Sequence, residues 1–278
     1  MELTDSHLHL WDPSRARYGW FDGNADLDRA FLPGDIPESS PTATIFVEAG
    51  APDGLAEARW VDSLAGRWKG LAGIVAAAPL ELGIAVRPHL NELRSIARVV
   101  GVRRLLQDET PDFFERPQLV DGLRELAAVG LPFDACVRYH QLPALMALLR
   151  QVPELTVVLD HLGKPPVASG KLDEWKTSLA VLATMPTASV KLSGVSPESD
   201  PDLPLAPQAL PVVQYVLDLF GPDRCMVGSD WPVSAVIPNS IGYDDWFTLI
   251  LETVERAGMA KEAVAARTAA RVYGLPAA

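Results

Sequence analysis

The chain has 278 residues, 48% of them hydrophobic, and a formal net charge of −12 from 24 Lys+Arg against 36 Asp+Glu. That length and apolar content fit one large α/β domain with a substantial core, and the acidic balance excludes a polyanionic partner such as nucleic acid. The sequence contains neither an eighteen-residue apolar run nor a basic leader followed by an apolar stretch, so neither a membrane span nor a secretory signal is expected. The two cysteines, Cys136 and Cys225, lie in apolar runs and read as buried thiols of a reducing compartment, so a cytoplasmic protein is expected.

In chain order, short β-branched runs predict strands over 3–10, 43–49, 71–78, 99–107, 133–140, 156–162, 188–194 and 225–231. Helical spacing of three and four separates most of them, as in "DGLAEARWVDSLAGRW", "QLVDGLRELAAVG" and "LPALMALLRQV". Eight alternations predict a single (β/α)8 barrel over 1–278. The rival, an open doubly wound sheet, lacks the glycine-rich phosphate loop that would support it. Long βα loops are expected after strand one (11–41, rich in aromatics), after strand seven (the proline-rich 196–211) and after strand eight (231–243). Such loops cover the C-terminal mouth, where barrel enzymes keep their sites.

The first strand reads "TDSHLHL". Alternation puts Asp5, His7 and His9 on one face and Leu8 and Leu10 on the other, so the histidines must meet something polar. His140 and His161 also fall at predicted strand ends, as does Asp230, and only His89 of the five histidines sits in a helical stretch. Imidazoles and a carboxylate suit a single divalent ion, zinc or manganese, held by His7, His9, His140 and Asp230 with an open position. His161 would then polarise a substrate carbonyl or shuttle a proton. A metal-independent route is equally open, with Asp230 as general base on water and the histidines and a cation stabilising the oxyanion.

The ordered set "DSHLHLWD", "LDHLGKP", "VKLSG" and "VGSDWPV" resembles the amidohydrolase superfamily, in its branch related to sugar lactonases and to 2-pyrone-4,6-dicarboxylate lactonase. The similarity runs over nearly the entire chain. It implies a TIM-type barrel that opens an aldonolactone or a related carboxylated lactone, a small-molecule substrate, with oligomeric state left open. Binuclear members carry a lysine at the end of strand four. Here that strand ends "VRRLLQDE", so one ion at most is expected. The competing classes are a metal-dependent decarboxylase of the same superfamily and a non-catalytic barrel.

Other candidates keep two readings each. Arg103 and Arg104 point to opposite faces of strand four, so at most one enters the barrel; the resemblance favours Arg103 as a grip on a carboxylate or ring oxygen, against an ion pair with Asp108 or Glu109. Lys191 fits a substrate cation or a buried pair, and Glu48 a sugar-hydroxyl contact or a structural one. Trp11 and Trp231 fit ring stacking at the mouth or plain core packing. Asp160, next to His161, is expected to face the helix layer.

Overall fold

A computed structural model describes residues 1–21, 24–37, 41–68 and 70–275. Its eight parallel strands are β1 (Thr4–Leu8), β2 (Ala43–Val47), β3 (Leu71–Ala77), β4 (Val99–Leu105), β5 (Phe133–Cys136), β6 (Val157–Leu159), β7 (Ala188–Leu192) and β8 (Cys225–Val227), in sequential order. Just beyond the end of β8 the sheet returns to β1. Leu8 bridges Trp231 in parallel, His9 N–H donates to the Trp231 carbonyl at 2.8 Å, and Asp230 N–H donates to the His7 carbonyl at 2.8 Å. The expected barrel is present.

Helices α1 (Gly54–Ser63), α2 (Arg87–Arg94), α3 (Pro111–Phe114), α4 (Pro117–Ala128), α5 (Leu142–Leu149), α6 (Asp173–Leu182), α7 (Leu205–Phe220), α8 (Tyr243–Arg256) and α9 (Thr268–Tyr273) cover it. No helix among the described residues is long and apolar enough to cross a membrane. Between β1 and β2 the described residues form short 3₁₀ turns and an antiparallel bridge between Trp11 and Phe31. The loop after β7 is shorter than expected, because α7 begins at Leu205 and absorbs Pro207 and Pro211. Proline is well tolerated in a first turn, where the amide hydrogen has no helical partner, so Pro207 is no barrier to starting there.

Two apolar layers frame the site. One, between sheet and helices, includes Leu8, Leu10, Phe46 and Leu159. The other fills the barrel with Ile45, Val47, Val75, Val158 and Met226, against which α9 packs Ala269, Val272 and Tyr273. Gly101 on β4 lies against the Tyr273 ring, where an added Cβ would come within 3.2 Å of it, so α9 plugs the N-terminal end. The functional groups are stacked above this plug.

Candidate active site

Directly above Tyr273 is a buried charge layer. Its hydroxyl donates to Asp134 on β5 at 2.8 and 2.9 Å, and Lys191 on β7 donates to the same carboxylate at 2.5 Å. The Lys191 ammonium also lies 3.1 Å from Asp160 and 3.2 Å from His7 Nδ1, and is fully sealed from solvent. Of its two readings the structure shows the buried pair. Burial pushes the Asp134 carboxyl up to about 6, with Lys191 pulling the other way.

Asp160 departs from expectation. It faces the barrel interior, within 3.3 Å of both His7 Nδ1 and Arg103 Nη1. The reason is local: β6 ends at Leu159, and His161, Leu162, Gly163 and Lys164 all take positive φ (54°, 54°, 71° and 51°). Strand alternation stops there, so consecutive residues Asp160 and His161 both reach the centre. Holding three non-glycine residues in the left-handed region costs on the order of 1–3 kcal/mol each, a strain that concentrates at functional sites. The Trp175 indole donates to the Leu162 carbonyl at 2.7 Å and helps hold the turn. Gly194 admits it, since an added Cβ there would lie 2.3 Å from His161 Nδ1.

Three imidazoles converge on one carboxylate oxygen. Asp230 Oδ1 is 3.5 Å from His9 Nε2, 3.7 Å from His161 Nε2 and 3.9 Å from His7 Nε2, while Ser234 Oγ donates to Oδ2 at 2.7 Å. Burial alone would raise the Asp230 carboxyl, but His161, His9 and His7 outweigh it and hold it well below the usual carboxylate range. His161 is pushed down to about 4, chiefly by burial, so it is a neutral imidazole near pH 7; its Nδ1 is 3.0 Å from Ser193 Oγ. Burial, reinforced by Lys191, also pushes His7 well down. His9 Nδ1 donates to the Val47 carbonyl at 2.8 Å, which leaves its Nε2 lone pair facing the cluster.

Arg103 enters the barrel while Arg104 turns outward to Glu81 and Glu109. The Arg103 guanidinium is nearly saturated. Its Nε donates to Glu48 Oε1 at 2.6 Å, Nη2 to the Glu48 carbonyl, and Nη1 to Asp160 at 3.3 Å with His7 Nε2 at 3.5 Å. Glu48 is equally committed, accepting also from Gly50 N–H at 2.7 Å.

Four sequence-based placements are corrected. His140 is exposed, in the turn Tyr139–Gln141, because β5 ends at Cys136 and the chain bends away before reaching it. Trp11 is fully buried in an aromatic cluster with Tyr18, Trp20, Phe21 and Phe31, its indole donating to Leu27, and does not line the cavity. Trp231 packs edge-on to Phe31 and is likewise absent from the cavity wall. Asp5 leaves the histidine face: the strand register shifts between Asp5 and Leu8, and its carboxylate binds Ser229 N–H and Oγ and the Tyr243 hydroxyl across the β1–β8 seam.

The mouth above Asp230 is an open cavity of about 180 Å³. Its wall includes His9, Arg103, His161 and Asp230, and also Trp20, Gln107 and Lys164, which sequence reasoning missed. The lysine was within reach, as the K of "LDHLGKP". Cys136 also lines the cavity, but burial pushes its thiol up to about 11, so it is no thiolate nucleophile; both cysteines are free.

The amidohydrolase family profile matches residues 4–275. The chain belongs to the amidohydrolase family. Among curated relatives it is 31% identical over 261 residues to an L-fucono-1,5-lactonase of Burkholderia ambifaria, covering 91% of this chain and 88% of that protein. It is 32% identical over 290 residues to an L-fucono-1,5-lactonase of Burkholderia multivorans, covering 98% and 96%. An amidohydrolase from Burkholderia multivorans, solved with bound HEPES and with bound zinc, superposes with TM-scores of 0.88 and 0.86 at 30% identity, covering 99% of this chain and all of that one.

For an amidohydrolase the question is whether these residues suit a metal. His7, His9 and Asp230 each bring a ligand atom, all mutually within 4.8 Å and buried; His7, Asp160 and His161 form a second such group. Two imidazole nitrogens and an ionised carboxylate form a donor set for one divalent ion. His9 already has the required tautomer. His7 has it when its Nδ1 donates to Asp160, and loses it when Nδ1 accepts from Lys191 and Nε2–H turns to His9 Nε2, 3.1 Å away.

Proposed function

We propose that the protein hydrolyses the ester bond of a sugar-acid lactone at this site, with Asp230 as the base that activates water. The carrying observation is Asp230 Oδ1 at the cavity floor, flanked by three imidazoles while Ser234 occupies Oδ2. Lactonases among the curated relatives, matched over most of their length, support the ester-hydrolase class.

An ionised Asp230 takes a proton from water as the oxygen attacks the lactone carbonyl carbon. His161, neutral and carrying a proton on Nε2 when Ser193 donates to Nδ1, donates to the carbonyl oxygen as it becomes an alkoxide. Collapse of the tetrahedral centre breaks the ring C–O bond, and the departing oxygen recovers the proton from Asp230. The product is a hydroxy acid that ionises and releases one proton to solvent. His7, His9 and Asp230 would hold a zinc or manganese ion, which when bound supplies Lewis-acid polarisation of the carbonyl. Arg103 and Glu48 hold the floor rigid beneath these groups, with at most one Nη2 hydrogen of Arg103 left for substrate.

A panel of aldonolactones followed with a pH indicator, with and without chelator, tests this. Acid release on at least one lactone is expected; none across the panel would overturn the reading.

A further inference from the structure

The left-handed turn after β6 does more than deliver His161. Lys164 N–H closes it onto the His161 carbonyl at 2.7 Å, an i to i+3 bond. With about three residues per turn, positions i and i+3 eclipse, so the side chains of His161 and Lys164 share one side. Both line the cavity. A strained turn kept through four residues thus aims a lysine, as well as the histidine, at the space above Asp230.

The charge of the wall says what that lysine meets. Arg103 is matched by Glu48 and Asp160. Lys164, half-buried, has no carboxylate within 4.0 Å among the described residues; its ammonium donates at 2.5 Å to the neutral side-chain oxygen of Gln107. The remaining charges on the wall are the carboxylates of Glu198 and Asp230, together with Asp108, which is paired with the Arg138 guanidinium at 3.4 Å. A substrate carrying its own carboxylates would face this excess of negative charge with one uncommitted cation to meet it. A neutral ring bearing several hydroxyls matches it better, finding donors in Lys164 and Gln107 and acceptors in Asp108 and Glu198.

We infer that Lys164, braced by Gln107, is the specificity-determining residue that reads the ring hydroxyls of a neutral polyhydroxylated lactone, the task the near-saturated Arg103 is poorly placed to perform. This rests on the lactonase reading for the identity of the ring but not for the binding contact. Lactams bind in place of lactones and resist hydrolysis, so they separate the two claims. Calorimetry should compare a six-membered polyhydroxylated lactam with δ-valerolactam on the wild type, Lys164→Met and Lys164→Arg, with thermal melts confirming that each variant is folded.

The wild type is expected to favour the hydroxylated lactam. Lys164→Met should weaken that ligand about 10- to 100-fold, the usual consequence of losing a charge-assisted hydrogen bond, and draw the ratio of the two affinities toward one. Lys164→Arg should restore part of it. A wild type without preference, or a Lys164→Met variant that loses both ligands equally or neither, overturns the inference. If the wild type opens no lactone yet shows this lysine-dependent preference, the hydrolytic reading fails and the assignment of Lys164 stands.

Discussion

Replacing Lys191 by methionine tests the charge layer beneath the site. The ammonium is fully buried and is shared by Asp134 at 2.5 Å, Asp160 at 3.1 Å and His7 at 3.2 Å. Methionine keeps much of the volume but leaves Asp134 with Tyr273 alone, and Asp160 with Arg103 and His7. Breaking one partner out of a buried pair typically costs about 3–5 kcal/mol, a large share of the ~5–15 kcal/mol that holds most proteins folded. Asp134 supplies a pH signature. Its folded-state pKa, pushed up to about 6 by burial against Lys191's pull, exceeds the value of 3.8 expected unfolded, so its contribution is favourable at low pH and is lost as pH rises through about 6. Without Lys191 that loss deepens. Urea titrations at pH 5 and pH 8 should show Lys191→Met far weaker at pH 8, and Asp134→Asn in the same background should recover part of the deficit. A single variant costing under about 1 kcal/mol at pH 8, or equally destabilised at both pH values, would refute the reasoning.

Glu57, buried with both oxygens near Ala49 N–H at 3.2 and 3.3 Å, is raised well above the usual range by burial and then by Glu48. Its contribution is likewise lost as pH rises, so Glu57→Gln should melt at or above the wild type at pH 8.5 and close to it at pH 5; equal loss at both would count against this. Trp11→Ala should cost about 3–5 kcal/mol in denaturant titration as a large-to-small change in the core. Trp20→Ala, at a half-exposed ring on the cavity wall, should mainly raise KM on the best lactone. Dialysis against zinc followed by elemental analysis should give no more than one equivalent per chain, and His9→Ala less; two equivalents would contradict the three-ligand site.

The barrel and the central cluster were legible because their signals are local. His7 and His9 are spaced two apart at the end of β1, so period-two alternation sends both to one face, whereas Asp230 stands three residues past the end of β8 at positive φ (58°) and was legible from its place in "VGSDWPV". Alternation fails where a strand stops early. It misplaced Asp160, because residues after Leu159 leave the extended region for a left-handed turn. It misplaced His140, because β5 is four residues long rather than eight. The aromatic loop after β1 was correctly seen to matter, but composition cannot say which ring faces inward: Trp11 is sealed and Trp20 lines the cavity. Asp134 was recoverable, since parity along β5 puts it on the same face as Cys136, and both point into the barrel. The positive φ of Lys164 had no counterpart in composition or spacing.

The central claim is that Asp230 is the base. Asp230→Asn keeps the side chain's shape and the Ser234 hydrogen bond while removing basicity. On the best lactone found, kcat should fall roughly 10²- to 10⁴-fold in a variant whose melting and circular dichroism show an intact fold. Near-normal turnover in that folded variant would contradict the account and place the base elsewhere.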